Sequence, residues 1–251
     1  MGIESFARTL PALAGMMLAI TLASMFASVR NDLADLRIDR ISNTSRPLAS
    51  ARIAAGPALA ASLLALLVAI LIATTLGPTC VLVLIGISLL YELYSSPPWR
   101  LKRLPILAKL IIGLNSLLVA VAGYELAGGD LRTFPLDWAL YLLIAIGLAA
   151  NFIDLKDIEG DRADGIRTLP VWLGFANAVR LITVFTTMAY VWAAALLASV
   201  WLVPVTVILL CCHVRAIHHR PYSEAPVFRW YLLSQTSLVG ALCLTALPFW
   251  R

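Results

Sequence analysis

The sequence predicts an all-α protein, a polytopic transmembrane helical bundle of about eight spans. Three observations predict it. Hydrophobic residues make up 61% of the 251-residue chain and charged residues only 13%, against roughly 25% charged in an ordinary soluble domain. Mean hydropathy is +0.90. The apolar residues gather in long runs, close to the ~20 residues a helix needs to cross a bilayer, and none alternates as an outer-membrane β-strand does. This excludes a soluble globular domain and a disordered chain. It also excludes a nucleic-acid-binding domain, because the basic residues behind the net charge of +5 are scattered among apolar runs. The lipid bilayer is the first partner implied.

The spans are expected near residues 10–29, 53–77, 79–94, 106–127, 136–153, 171–199, 201–217 and 230–250. The first run leads directly into an acidic cluster, which marks it as a span rather than a cleaved signal peptide. Gly77 and Pro78 alone separate the second and third, which calls for a tight turn. Threading these spans back and forth puts the charged loops 30–52, 95–105, 154–170 and 218–229 on one side. With the helix-end residues Lys109, Arg180 and Arg215, that side holds 16 of the 19 Lys and Arg; only Arg8, Arg132 and Arg251 fall opposite. The positive-inside rule makes the charged side cytoplasmic. Cys80, Cys211, Cys212 and Cys243 lie in apolar runs without CxxC spacing and read as free thiols. His213, His218 and His219 read as helix and loop residues rather than metal ligands. Trp138, Trp201, Trp230 and Trp250 read as interfacial anchors.

The acids carry the chemistry. Eight of the 14 Asp and Glu fall in two short segments. Asp32, Asp35 and Asp39 match Asp154, Asp157 and Asp161, each at an offset of 122 residues, and Arg40 matches Arg162. The chain is therefore read as one domain over 1–251, built from pseudo-repeat halves at about 10–127 and 136–250. An i, i+3, i+7 spacing puts three carboxylates on one face of a helix. They repel one another unless a cation neutralises them. Oxygen-only ligands suit hard cations, and Mg²⁺ typically combines one or two carboxylates with substrate phosphate oxygens. The pattern suggests a Mg²⁺-bound diphosphate held between two Asp-rich helices. A third segment ends a span on the same side: Tyr91, Glu92, Tyr94, then Pro97-Pro98, which stops the helix, then Arg100, Lys102 and Arg103. Arg suits bidentate phosphate contact and Lys supplies a point charge. Glu92 is costly against lipid, so it is expected near the site or paired with an Arg.

These segments together resemble the UbiA-type intramembrane prenyltransferase superfamily. The matching features are NDxxDxxxD at 31–39, DxxDxxxD at 154–161, the loop YSSPPWRLKR at 94–103, Arg46-Pro47-Leu48 after the first motif, and EGDRADGIRTLP at 159–170. The resemblance implies a helical membrane domain, usually of nine spans, around a central cavity that opens to lipid. Only one span precedes the first motif here, where the family has two. It also implies an isoprenyl diphosphate donor bound through Mg²⁺ by Asp32, Asp35, Asp39, Asp154, Asp157 and Asp161. Asn31 and Asn151 are helpers of the two motifs. Arg46, Arg100, Lys102, Arg103 and Arg167 are candidates for diphosphate oxygens, Lys102 and Arg103 foremost. Tyr94 is a candidate for the cavity wall. Asn115, inside a span, is either an interhelical hydrogen bond or a substrate contact.

The activity implied is Mg²⁺-dependent transfer of a prenyl group to a lipophilic or aromatic acceptor, of quinone or lipid biosynthesis type, at the cytoplasmic side of the membrane. Two other readings stand beside it. Some members of the superfamily are terpene cyclases that use the diphosphate alone. A membrane carrier also fits duplicated halves, although carriers place their sites near the midplane rather than at one face.

Overall fold

The computed structural model describes residues 3–42, 44–163 and 165–245. They are helices joined by turns, with no strand among them. By internal contacts the chain divides into two units, Met1–Phe134 and Pro135–Arg251.

The first unit contains α1 (Ile3–Ala34), α2 (Leu36–Ser42), α3 (Ala55–Leu76), α4 (Pro78–Ser95), a 3₁₀ turn (Leu101–Arg103) and α5 (Pro105–Leu126). Its core is small on purpose. Ala19 and Ala23 on α1 and Ala69 and Ala73 on α3 are almost fully buried, together with Met16, Cys80, Leu84, Ile87 and Ala122. Alanines four residues apart let helix backbones approach closely, which is how helices associate where lipid removes the hydrophobic drive. The large side chains lie on the other faces: Leu64, Leu71 and Leu82 are each more than half exposed. An apolar exterior of this extent fits lipid as solvent. Gly77, with φ +132°, makes the turn between α3 and α4 that Gly77-Pro78 predicts, and Pro78 opens α4 where its missing N–H is harmless.

The second unit contains α6 (Leu136–Leu142), a π-helical stretch (Leu143–Leu148), a 3₁₀ stretch (Ala149–Lys156), α7 (Ile158–Ala163), α8 (Leu169–Leu173), α9 (Phe175–Leu197), a 3₁₀ turn (Val200–Leu202), α10 (Val203–His218) and α11 (Glu224–Thr245). The span expected at 136–153 is continuous but changes winding twice. Asn151 supports the second change: its Nδ2 donates to the carbonyls of Gly147 (3.3 Å) and Leu148 (2.6 Å), which the switch from π to 3₁₀ winding would otherwise strand. The span expected at 171–199 is cut by Gly174, at φ +74°, into α8 and α9. Only a residue without Cβ adopts that backbone readily.

Seven helical segments among the described residues are long and apolar enough to cross a membrane, the first Thr9–Ala34 and the last Val200–His218. The eighth expected span, 230–250, falls on α11, and residues 246–250 lie outside the described ones. The protein is a multi-pass membrane protein of helices.

Candidate active site

In the first unit the acidic motif sits where α1 passes into α2. Asp35 lies between the two helices, yet the winding continues: its N–H donates to the Asn31 carbonyl (3.0 Å), and the Asp39 N–H donates to the Asp35 carbonyl (2.9 Å). Asp32, Asp35 and Asp39 therefore stay about a turn apart along one helical path. The three carboxylates are neutralised from within the chain. One nitrogen of Arg46, Nη1, donates to Asp32 Oδ1 at 3.0 Å and to Asp39 Oδ2 at 2.9 Å. Asp39 is only 4% exposed, so its charge needs that partner. Arg46 is itself held in a turn, because the Ser50 N–H and hydroxyl both donate to its carbonyl, at 2.9 and 2.8 Å.

Asp35 takes its partners from the loop after α4. Pro97-Pro98 ends that helix, and Arg100 follows with φ +40° as the cap of the 3₁₀ turn. Arg100 Nη2 donates to Asp35 Oδ1 at 2.5 Å. Lys102, which is 8% exposed, pairs with Asp35 Oδ2 and donates to Asn31 Oδ1 at 3.0 Å. The Ser95 hydroxyl donates to the same Asn31 oxygen at 3.0 Å. Beside this cluster, Arg30 Nε donates to Glu92 Oε2 at 3.0 Å and its Nη2 completes a two-pronged ion pair, so Glu92 has the arginine partner expected of it.

The structure thus gathers Asn31, Asp32, Asp35, Asp39, Arg46, Arg100 and Lys102 into one charged cluster. Arg103 is exposed on the same turn, and Tyr94 is half-buried at the end of α4. Arg30 and Ser95 were not singled out by sequence reasoning. Their signal was present, since Arg30 directly precedes the motif and Ser95 directly precedes the proline pair. Asn115, 7% exposed on α5, lies outside this hydrogen-bond network. Both its amide atoms lack a hydrogen-bond partner among the described residues.

In the second unit the same spacing is built differently. Asp154 lies in the 3₁₀ stretch, Asp157 at the break that follows, and Asp161 in α7. The Asp157 N–H donates to the Asp154 carbonyl at 3.2 Å, an i+3 bond, and the Asp161 N–H donates to the Asp157 carbonyl at 2.8 Å, an i+4 bond. The expectation of one continuous helix face is therefore corrected. One tight turn and one ordinary turn follow each other, and a 3–4 spacing matches that sequence of windings. Asp157 is exposed, and Asp161 Oδ2 accepts from the Thr168 hydroxyl at 3.1 Å. The Asn151 amide nitrogen goes to its own backbone, as above, while its Oδ1 is buried with no hydrogen-bond partner among the described residues, and Arg167 is exposed. Lys156, next to the motif, pairs with Glu224. Tyr222 donates its hydroxyl to the Phe152 carbonyl at 2.5 Å. Burial raises the Tyr222 pKa, and the nearby charges of Glu224 and Asp154 raise it further.

Among the described residues, no three acidic, histidine or cysteine side chains close on one point. The donor set still fits a hard divalent cation. Its ligand atoms are carboxylate oxygens, and those of Asp32 and Asp39 already converge on a single positively charged nitrogen.

With its long apolar helices, two aspartate motifs and a basic loop, the chain falls in the class of multi-pass helical membrane proteins. The chain matches the model of the UbiA prenyltransferase family over residues 4–248 and belongs to that family. Among similar proteins, the digeranylgeranylglyceryl phosphate synthase of Methanopyrus kandleri is 31% identical over 156 residues, 62% of this chain and 55% of the relative. The chloroplastic 2-acylphloroglucinol 4-prenyltransferase of Humulus lupulus is 33% identical over 199 residues, 74% of this chain and 47% of that protein. The chain spans about half the length of these relatives. Its fold is similar to that of a UbiA homologue from Archaeoglobus fulgidus solved with GPP and Mg²⁺. That match has a TM-score of 0.72 at 16% identity and covers 94% of this chain and 88% of the other. An apo UbiA homologue from Aeropyrum pernix aligns with a TM-score of 0.68 at 20% identity, over 98% of this chain and 100% of the other.

Proposed function

We propose that the protein transfers a prenyl group from an isoprenyl diphosphate to a lipophilic acceptor at the membrane, with the acceptor offering a hydroxyl. The observation that carries this reading is the first motif itself, where three carboxylates and three cations, Arg46, Arg100 and Lys102, interlock in one cluster. A metal diphosphate needs both signs of charge, and this cluster has both. Asp32, Asp35 and Asp39 are the residues of the first unit that would hold Mg²⁺, and Asp154, Asp157 and Asp161 those of the second. Mg²⁺ held by such carboxylates would neutralise charge that develops on the leaving diphosphate.

The chain's own residues do the rest. Arg100 and Lys102 release Asp35 and turn to the diphosphate oxygens, where their charge stabilises the leaving group as the C1–O bond breaks and its electron pair stays on oxygen. Asn31 holds Lys102 in reach of that position. The acceptor hydroxyl oxygen bonds to the allylic carbon and gives up its proton to the released diphosphate. Relatives named as digeranylgeranylglyceryl phosphate synthases favour a lipid acceptor over an aromatic one. The charged motifs are proposed to lie on the cytoplasmic side, as the loop charges require.

The test is diphosphate release by the protein in nanodiscs with Mg²⁺ and geranyl, farnesyl or geranylgeranyl diphosphate, with products identified by mass spectrometry. Donor consumed into a heavier product only when a lipid extract is added supports the transferase. A cyclised or hydrated terpene formed without acceptor would instead make the protein a terpene cyclase. A donor neither bound nor consumed, with or without the extract, overturns the reading.

A further inference from the structure

The second unit holds a partly open cavity of about 70 Å³ between its α6–π segment, α9, α10 and α11. Most of its wall is alanine and aliphatic, including Ala145, Ala149, Ala189 and Ala193. The rest is polar or tyrosyl, with Thr206, Ser234, Gln235 and Ser237 among it, and two of its polar groups stand apart. Thr186 and His213 are each 1% exposed and both line the cavity. His213 Nδ1 lies 3.3 Å from the Tyr190 hydroxyl, while its Nε2 has no hydrogen-bond partner among the described residues; nor does Thr186 Oγ1. The contrast within α9 is informative. Thr183 and Thr187 donate their hydroxyls back to the carbonyls four residues earlier, at 2.8 and 2.9 Å, the usual resort of a helical threonine. Thr186 does not. Buried polar atoms are almost always hydrogen-bonded, so these two call for a partner from outside the chain.

We propose that this cavity binds an uncharged lipophile through a hydroxyl group. A hydroxyl both donates and accepts, so a ligand hydroxyl can answer Thr186 or either tautomer of His213. Among the described residues no Lys, Arg, Asp or Glu lines the cavity, and a charged headgroup there would lack a counter-charge. The ligand's apolar body lies along the alanine wall. None of this depends on the role given to the aspartate motifs, whose residues do not line the cavity.

The experiment photolabels the full chain in nanodiscs with a diazirine analogue of farnesol, without Mg²⁺, and maps labelled peptides by mass spectrometry. Competitors are farnesol, 4-nonylphenol, their hydroxyl-free counterparts farnesene and nonylbenzene, and farnesyl diphosphate. Label is expected on α9 and α10, displaced by the alcohols and not by the hydrocarbons or the diphosphate. The better of the two alcohols tells an isoprenoid ligand from a phenolic one. Thr186→Val should weaken displacement by roughly three- to tenfold, the worth of one neutral hydrogen bond, while the melting temperature stays the same or rises, because an unpartnered buried hydroxyl is removed. His213→Phe should weaken displacement similarly. Equal displacement by farnesol and farnesene, stronger displacement by the diphosphate, label outside the α6–π segment, α9, α10 and α11, or undiminished displacement in Thr186→Val would each overturn the proposal. So would a lower melting temperature for Thr186→Val, which would make its hydroxyl a structural bond.

Discussion

The two aspartate motifs share one spacing and differ in almost everything else. In the first, the carboxylates follow one helical path and each is clasped by a cation: Arg46 on Asp32 and Asp39, Arg100 and Lys102 on Asp35. In the second, the spacing is met by a 3₁₀ turn followed by an α-helical one, with Asp157 exposed at the break. Sequence spacing therefore fixes which acids come one turn apart. It does not fix how deeply they are buried or what neutralises them. The first motif is part of the structural frame of its unit as well as of its proposed chemistry, whereas in the second the half-buried Asp154 and Asp161 flank an exposed Asp157.

That difference is open to test, and the largest effect is the sharpest. Asp35→Ala and Asp157→Ala are both expected to reduce turnover by roughly 10²–10³-fold, the usual cost of losing a preorganised electrostatic contact. Asp35→Ala should also destabilise the fold more than Asp157→Ala does, since it leaves Arg100 and the buried Lys102 without their carboxylate, whereas Asp157 is exposed. Diphosphate release and a melting curve, measured on both variants, would break the comparison if Asp157→Ala melted as low as Asp35→Ala.

The Arg30–Glu92 pair beside the first motif gives the next effect. Glu92→Gln should cost about 1–2 kcal/mol, because the two-pronged contact is charged but about a third exposed. Replacing both residues by Met should recover most of the loss, as burying neither charge avoids the unpaired state. Urea unfolding in a mild detergent would read both.

Tyr222 reports on the second motif. Tyr222→Phe removes the hydrogen bond to Phe152 and should cost about 1 kcal/mol. The pH dependence has a definite sign. The folded-state pKa of Tyr222 is raised, so the unfolded chain releases its proton first. The stabilisation is complete below the ordinary tyrosine value near 10 and falls as pH rises above it. The melting temperature of the wild type should decline more steeply above about pH 10 than that of Tyr222→Phe. Asp154→Asn should lessen that difference.

The smallest effect is expected at Lys156–Glu224, a largely exposed pair. Lys156→Ala should change stability by no more than about 1 kcal/mol, and the change should shrink in high salt. A larger, salt-insensitive loss would show that the second motif's surroundings are as structural as the first's.

Much of this was legible in the residues. The apolar runs gave the helices, Gly77-Pro78 gave the turn between α3 and α4, and the repeated spacing with its basic loop gave the family. An arginine partner for Glu92 followed from the cost of a carboxylate in lipid. The break at Gly174 was missed because one glycine in a long apolar run reads as an ordinary helix residue until its φ is known. Asn151 was read as a helper of the second motif, and the structure spends its amide nitrogen on backbone carbonyls. No pattern of side chains announces a change of winding from π to 3₁₀.

By itself, the sequence determined the membrane class, the number and order of most spans, and the residues of the two motifs. Those follow from composition and local periodicity, which act over a few turns of chain. Only the tertiary structure decided that Arg46, Arg100 and Lys102 close on the first motif, from positions up to 71 residues away in the chain. It alone decided that Thr186 and His213, on different helices, line one cavity with their polar atoms unanswered. Burial and pairing depend on which helix faces meet, and in a chain whose faces are nearly all apolar, hydrophobicity says little about which ones will.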